Sequence, residues 1–220
     1  ICDIDLNKIN NETKSDILKL YNDNLVLLFR DQDLNPDAQV AFSEFFGPVN
    51  SHPLKTRASV IGLPEVLILE NRPGRPGAPN DYWHSDISHS EQPPSATILH
   101  SLIIPEGHGD TMLCNMVNAY KNLSDNMKEM IDGMRALHSG MATFQRSIAG
   151  TSDARPIDKS EIKPPQSHPV VRLPSGTNQP AIFVNPHFTT EIENINTEEG
   201  RWMLSYMNRV ATQPENIYRH

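Results

Sequence analysis

The chain has 220 residues, 37% of them hydrophobic, and carries a formal net charge of −8. That length suits one sizeable domain, and the acidic balance argues against a nucleic-acid backbone binder, which needs a concentrated basic surface. No apolar run approaches a membrane span, no secretory signal is seen, and two cysteines are too few for a disulfide framework, so the expected setting is cytoplasmic and the cysteines are read as small hydrophobes.

In chain order, Ile1 through Leu6 alternates as a short edge strand would. Asn11 through Asn24 reads as a helix whose apolar side is Ile17, Leu18, Leu20 and Tyr21. Leu25 through Phe29 is a continuous apolar run expected to form a buried strand. Pro36 opens a second helix, with Val40, Phe42, Phe45 and Phe46 for packing and Gly47-Pro48 as its stop. Glu65 through Glu70 reads as a strand, and residues 72–81, dense in Pro, Gly and Asn, as a loop placed to act as a lid. Thr97 through Ile104 is expected to be the long core strand. Met116 through Tyr120 and Ser124 through Met134 read as helices, the latter capped by Ser124 and packed through methionines as core filler. Arg135 through His138 returns as a strand. Residues 144–166 are polar and broken, a second candidate loop over the active site. Two strands, His168–Leu173 and Ala181–Val184, precede a last helix capped by Asn196 and ended by Gln213-Pro214. The 18 prolines point to strands and long loops broken by a few helices.

The chemistry-bearing stretch is Tyr82-Trp83-His84-Ser85-Asp86-Ile87-Ser88. On an extended backbone His84 and Asp86 share a face, and an imidazole with a carboxylate suits a divalent first-row metal. Alone, His-x-Asp is a weak signal that a surface loop would equally produce.

Its surroundings resemble the taurine dioxygenase (TauD/TfdA) family of iron(II)- and 2-oxoglutarate-dependent oxygenases. The matching blocks are Phe45-Phe46-Gly47 with His52-Pro53, Trp83 through Asp86, Pro93-Pro94, Gly109-Asp110-Thr111 and Asn115 through Tyr120. Leu123-Ser124, Gly133 through His138, His168 through Arg172, Phe183 through Pro186 with Phe188-Thr189, and Pro214 through His220 follow in family order. The resemblance spans nearly the whole chain. It implies a mainly β fold with flanking helices, built on a double-stranded β-helix (a cupin-like jelly roll), and one dioxygenase domain over 1–220. It further implies Fe(2+) held by His84 and Asp86, 2-oxoglutarate as cosubstrate against Thr111, and O2 as the second cosubstrate. Substrate contacts would come from His52, Asn80, Ile87 and Phe188. The substrate class would be a small anionic organic molecule (a sulfonate, carboxylate or sulfate ester), hydroxylated with release of succinate and carbon dioxide. Dimers or tetramers are usual for such relatives, so a homodimer or homotetramer is the implied assembly, and the charge and hydropathy add the expectation of neither nucleic acid nor membrane as partner.

Three positions depart from taurine-oxidising relatives. Lys55 stands where they carry a tyrosine, and His89 and His187 stand where polar contacts are not expected. The family's distal histidine ligand and its 2-oxoglutarate-binding arginine lie downstream of the block matching Tyr218-Arg219-His220. The domain is therefore expected to be incomplete, with its C-terminal closing strands missing, and His220 is not assigned to iron. A metal-dependent hydrolase using His84 and Asp86, and a non-catalytic small-molecule-binding homologue, remain the alternatives.

Overall fold

The computed structural model of the chain describes residues 1–49, 59–70, 82–141, 145 and 163–220. The chain divides into two compact units. One comprises Ile1–Ala78, Ser95–Leu102 and Thr151–Pro156, and the other Pro79–Pro94, Ile103–Gly150 and Ile157–His220. The described residues form a mixed α/β fold with several small antiparallel sheets, none of which closes into a barrel.

In the first unit, helix α1 (Asn11–Asn24) begins where the Asn10 side chain accepts from Thr13 N–H at 2.8 Å. It ends at Leu25, whose left-handed φ of 66° brings its N–H to the Tyr21 carbonyl. Helix α2 (Pro36–Ser43) is capped by Asn35 with Pro36 in its first turn. Leu6, Ile17, Leu34 and Phe42 are the buried centre, and the Phe42 ring meets Phe29, Phe45 and Phe46 edge-on at 5.5–5.6 Å. Strands β1 (Ser59–Val60) and β2 (Leu63–Leu67) pair antiparallel.

Three expected strands of this region are absent as strands. Instead of an edge strand, the amino-terminal residues lead into a 3-10 turn at Leu6–Lys8, because the Asp5 carboxylate accepts from Asn7 N–H and competes for the backbone. Leu25 is spent as the α1 cap, and Leu27 and Phe29 pack on the core without strand pairing among the described residues, while the Leu28 carbonyl accepts from the Ile1 amino group. Residues 97–104 form no ladder among the described residues, and Leu102 and Ile103 are 81% and 87% exposed. High β-propensity gives a strand only where a partner strand takes up the backbone bonds.

The second unit carries the larger core. Strand β3 (Met112–Cys114) leads to helices α3 (Met116–Lys121) and α4 (Asp125–Ile131), then strands β4 (Arg135–His138), β5 (Gln166–Pro169), β6 (Val171–Arg172), β7 (Ala181–Ile182) and β8 (Thr189–Ile192). Helix α5 (Thr197–Ala211) and strand β9 (Ile217–Arg219) complete it. β4 is the middle of a three-stranded sheet in the order β5-β4-β8, with Ala136 opposite both His168 and Ile192. β6 pairs β7, and β3 pairs β9. Asn196 caps α5 by accepting from Glu198 N–H, and the helix lays Met203, Leu204, Met207 and Ala211 against Ala136, Val170, Ile182 and Ile192. The core-filler reading of the Ser124–Met134 methionines holds for Met127 and Met134, which pack partly buried against this core, but Met130 is half exposed. Cys114 behaves as a small hydrophobe: burial pushes its thiol up to about 11. No described helix is long and apolar enough to cross a membrane.

Candidate active site

His84 lies on an irregular extended segment, not in a strand, and Asp86 opens a turn running to His89. The turn is closed by Ser88 N–H to the Ser85 carbonyl at 3.2 Å and Ser90 N–H to the Ile87 carbonyl at 2.9 Å. It forces Ile87 to φ 48°, which a β-branched side chain resists, so this backbone stores roughly 1–3 kcal/mol and must be held by its surroundings.

The hold comes from β4, β5 and the loop before β8. Ser88 is fully buried, and its Oγ lies 3.1 Å from Asn185 Nδ2 and 3.1 Å from His138 Nδ1. Asn185 Oδ1 accepts from the N–H groups of His187 and Phe188, at 3.2 and 2.8 Å. That fixes the amide with Nδ2 toward Ser88, so Ser88 accepts there and directs its own proton at His138 Nδ1. Burial first, then the neighbouring His168, brings His138 down to about 4, so its ring is neutral at neutral pH and can receive that proton. His168 Nε2 meets the Ser90 carbonyl at 2.9 Å, a second tie to the same turn, and burial lowers its pKa as well.

On this turn His84 Nε2 and Asp86 Oδ1 stand 3.2 Å apart. His84 Nδ1 meets the Tyr82 carbonyl at 2.9 Å, and a carbonyl can only accept, so Nδ1 carries the proton. Nε2 then offers a lone pair toward a carboxylate oxygen unless the ring is doubly protonated. At this spacing the pair is bridged either by a proton on Nε2, as an imidazolium–carboxylate contact, or by a metal cation. Ligands at about 2.1 Å on adjacent positions of a first-row ion lie about 3 Å apart, so the pair fits two corners of one coordination sphere. A ring nitrogen donating to a carbonyl is the usual orienting partner of a metal-bound histidine. Among the described residues, no group of three or more His, Cys, Asp or Glu gathers to hold a metal.

The other expected site residues fall into three groups. Phe188 is buried, with its ring 4.7 Å from His89 and 4.3 Å from His187. Ile87 is the strained, half-buried residue between Asp86 and Ser88. His187 stacks on Tyr82 at 4.1 Å and stands 6.3 Å from His84, so the two unexpected histidines flank Phe188 and line this region. Thr111 is exposed and bonded through its backbone to His220, extending the β3–β9 ladder, and no described bond joins it to His84 or Asp86. His52, Asn80, Lys55 and nearly all of the two expected lids lie outside the described residues. Ser88, His138, His168 and Asn185 were not read as site residues from the sequence. The available signal was a small hydroxyl two positions after Asp86 and an Asn-Pro pair before Phe188.

A buried polar clamp thus stands behind a His-x-Asp pair on a mixed α/β scaffold. Comparison with known proteins gives the family. Residues 2–220 match the family described as "Taurine catabolism dioxygenase TauD, TfdA family", and the chain belongs to it. It is 30% identical to the alpha-ketoglutarate-dependent 2,4-dichlorophenoxyacetate dioxygenase of Cupriavidus pinatubonensis, over 99% of this chain and 80% of that one. It is 28% identical to an alpha-ketoglutarate-dependent sulfate ester dioxygenase of Pseudomonas putida, over 88% of this chain and 64% of that one. A taurine dioxygenase crystal structure from Burkholderia xenovorans superposes with a TM-score of 0.76 at 28% identity, covering 99% of this chain and 70% of that one. The protein is thus a dioxygenase of the 2-oxoglutarate-dependent class.

Proposed function

We propose that the protein hydroxylates a small anionic organic substrate, using Fe(2+), 2-oxoglutarate and O2 and releasing succinate and carbon dioxide. The observation that carries this is the approach of His84 Nε2 to Asp86 Oδ1 at 3.2 Å with Nδ1 committed to the Tyr82 carbonyl. His84 and Asp86 hold the iron, which with 2-oxoglutarate and O2 supplies the oxidising power. The chain's own contribution is orientation. Tyr82 fixes the tautomer of His84, and the Ser88 turn sets where Asp86 stands. Phe188, between His89 and His187, supplies an apolar wall on which a substrate's carbon skeleton rests. Thr111 offers a hydroxyl donor to a carboxylate without adding charge. His52 and Asn80 complete the substrate side, and Ile87 borders it. The scaffold behind this reading is the double-stranded β-helix. The substrate class follows the relatives, whose names specify a phenoxyacetate and a sulfate ester.

The test uses the full-length protein with iron(II), 2-oxoglutarate, O2 and a panel of aryloxyacetates, sulfonates and sulfate esters. Succinate formed in step with one oxidised product, and lost in His84→Ala and Asp86→Ala, is the expected result. Hydrolysis without succinate would assign a hydrolase, and binding without either product a non-catalytic homologue.

A further inference from the structure

We infer that Asn185 and Ser88 are positioning residues for the metal: the buried Asn185 side chain, bonded to Ser88 on one side and to the His187 and Phe188 backbone on the other, sets where both Asp86 and His84 stand. The inference rests on the iron reading of those two residues.

The geometry makes the Asn185 side chain the meeting point of both ligand supports. Toward Asp86, its Nδ2 donates to Ser88 Oγ, two residues beyond the carboxylate, across a turn whose Ile87 backbone is left-handed. A β-branched residue leaves that conformation unless it is held, and Ser88, fully buried between Asn185 and His138, is the anchor nearest to it. Toward His84, Asn185 Oδ1 accepts from His187 and Phe188 N–H and so fixes the start of that loop. The His187 ring stacks on Tyr82, and the Tyr82 carbonyl holds His84 Nδ1. Thr189 Oγ1 accepts from Asn185 N–H at 2.9 Å and fixes the amide's own backbone. One side chain is therefore tied to the carboxylate through Ser88 and to the imidazole through His187 and Tyr82. The bond lies on the protein side of the turn, behind the ligands, so its role is to place them rather than to touch substrate. Outer partners of this kind change metal affinity by about 10–100-fold when removed.

The test is cobalt(II) titration of the full-length protein, followed by visible d–d absorption, with the melting temperature of each variant recorded. Ser88→Ala and Asn185→Ala are each expected to weaken binding about 10–100-fold and to alter the band shape. Asn185→Ala also loses the Oδ1 bonds toward His187 and Phe188 and is expected to bind more weakly than Ser88→Ala, and the double variant is expected to be little worse than Asn185→Ala, because the Asn185–Ser88 bond is already gone there. Ile131→Val, a core change on helix α4 outside the Asn185–Ser88 latch, is expected to lower the melting temperature with cobalt affinity unchanged, which separates placement from loss of fold. Should Ser88→Ala melt below the titration temperature, Ser88→Cys decides. It keeps a weaker bonding group at the same place and is expected to bind cobalt several-fold less tightly than the unaltered protein. Wild-type affinity and spectrum in Ser88→Ala, or in Ser88→Cys in that case, overturn the latch while leaving the iron reading intact, provided His84→Ala has lost the metal. Cobalt binding that survives His84→Ala overturns the iron reading and the latch with it.

Discussion

Acidification should loosen this fold through His138 before most carboxylates protonate. The ring is fully buried, 5.3 Å from His168 and stacked on Phe183, and burial together with the His168, His89 and Arg172 charges lowers its pKa to about 4. In the unfolded chain it titrates near 6.5, so between those two values the unfolded state binds more protons and stability falls as pH falls. The contribution is fully present above the unfolded value and is lost progressively down to about 4, up to about 3 kcal/mol in all. The pKa of His168 is lowered too, with burial as the leading cause, and adds a slope of the same sign. The assay is urea denaturation followed by tryptophan fluorescence across mildly acidic to neutral pH, for the unaltered protein and His138→Gln. The readout is the difference between the two slopes, since other groups titrate in both. Equal slopes in the two proteins, or a flat profile in the unaltered one, would refute the argument.

Gly140→Ala should disturb the wall at Phe188 without disturbing the backbone. An added Cβ would stand 3.0 Å from His89 Cδ2 and 3.2 Å from Nε2, so the imidazole packed against Phe188 must shift; a changed KM with a melting temperature within a few degrees of the parent is the expected pattern. Met207→Ala removes a buried side chain between α5 and the sheet and should cost about 2–5 kcal/mol by chemical denaturation, with no effect on cobalt affinity in the folded protein.

Much of the helical structure was legible because its signals are local. Asn10, Asn35, Ser124 and Asn196 cap the helices they precede, since each side chain reaches N–H groups two or three residues on. The strands were legible only where pairing agreed. Arg135–His138 forms as read, because β5 and β8 both bond to it, whereas the strongly β-forming 97–104 has no described ladder. The same division runs through the site. The approach of His84 to Asp86 could be read from a spacing of two, although the face-sharing argument assumed a strand and the structure supplies a turn. Ser88, His138, His168 and Asn185 could not, because the bonds joining them span 50 to 97 residues and leave no periodic trace.

That difference explains why a short motif can act from a loop. A His-x-Asp pair on an unsupported turn would lose its geometry to backbone entropy, and Ile87 adds strain that favours the loss. Here the opposing bonds from Ser88 to Asn185 and His138 are buried, where no water competes for them, and a partly buried bond from His168 to the Ser90 carbonyl adds to them. They reach the turn from β4, β5 and the loop before β8, which rest on the unit's apolar core, so the rigidity available to His84 and Asp86 is set by the packing of β4, β5 and β8 against α5. A substitution that weakens this core without unfolding it leaves the Ser88 bonds in place and should leave cobalt affinity intact, while lowering the free energy at which the turn opens together with the sheet. Hydrogen exchange at Ser88 and Ser90 N–H is the direct gauge. Protection close to that of Ala136 means that the turn opens with the sheet, and much weaker protection means that the clamp fails separately from it.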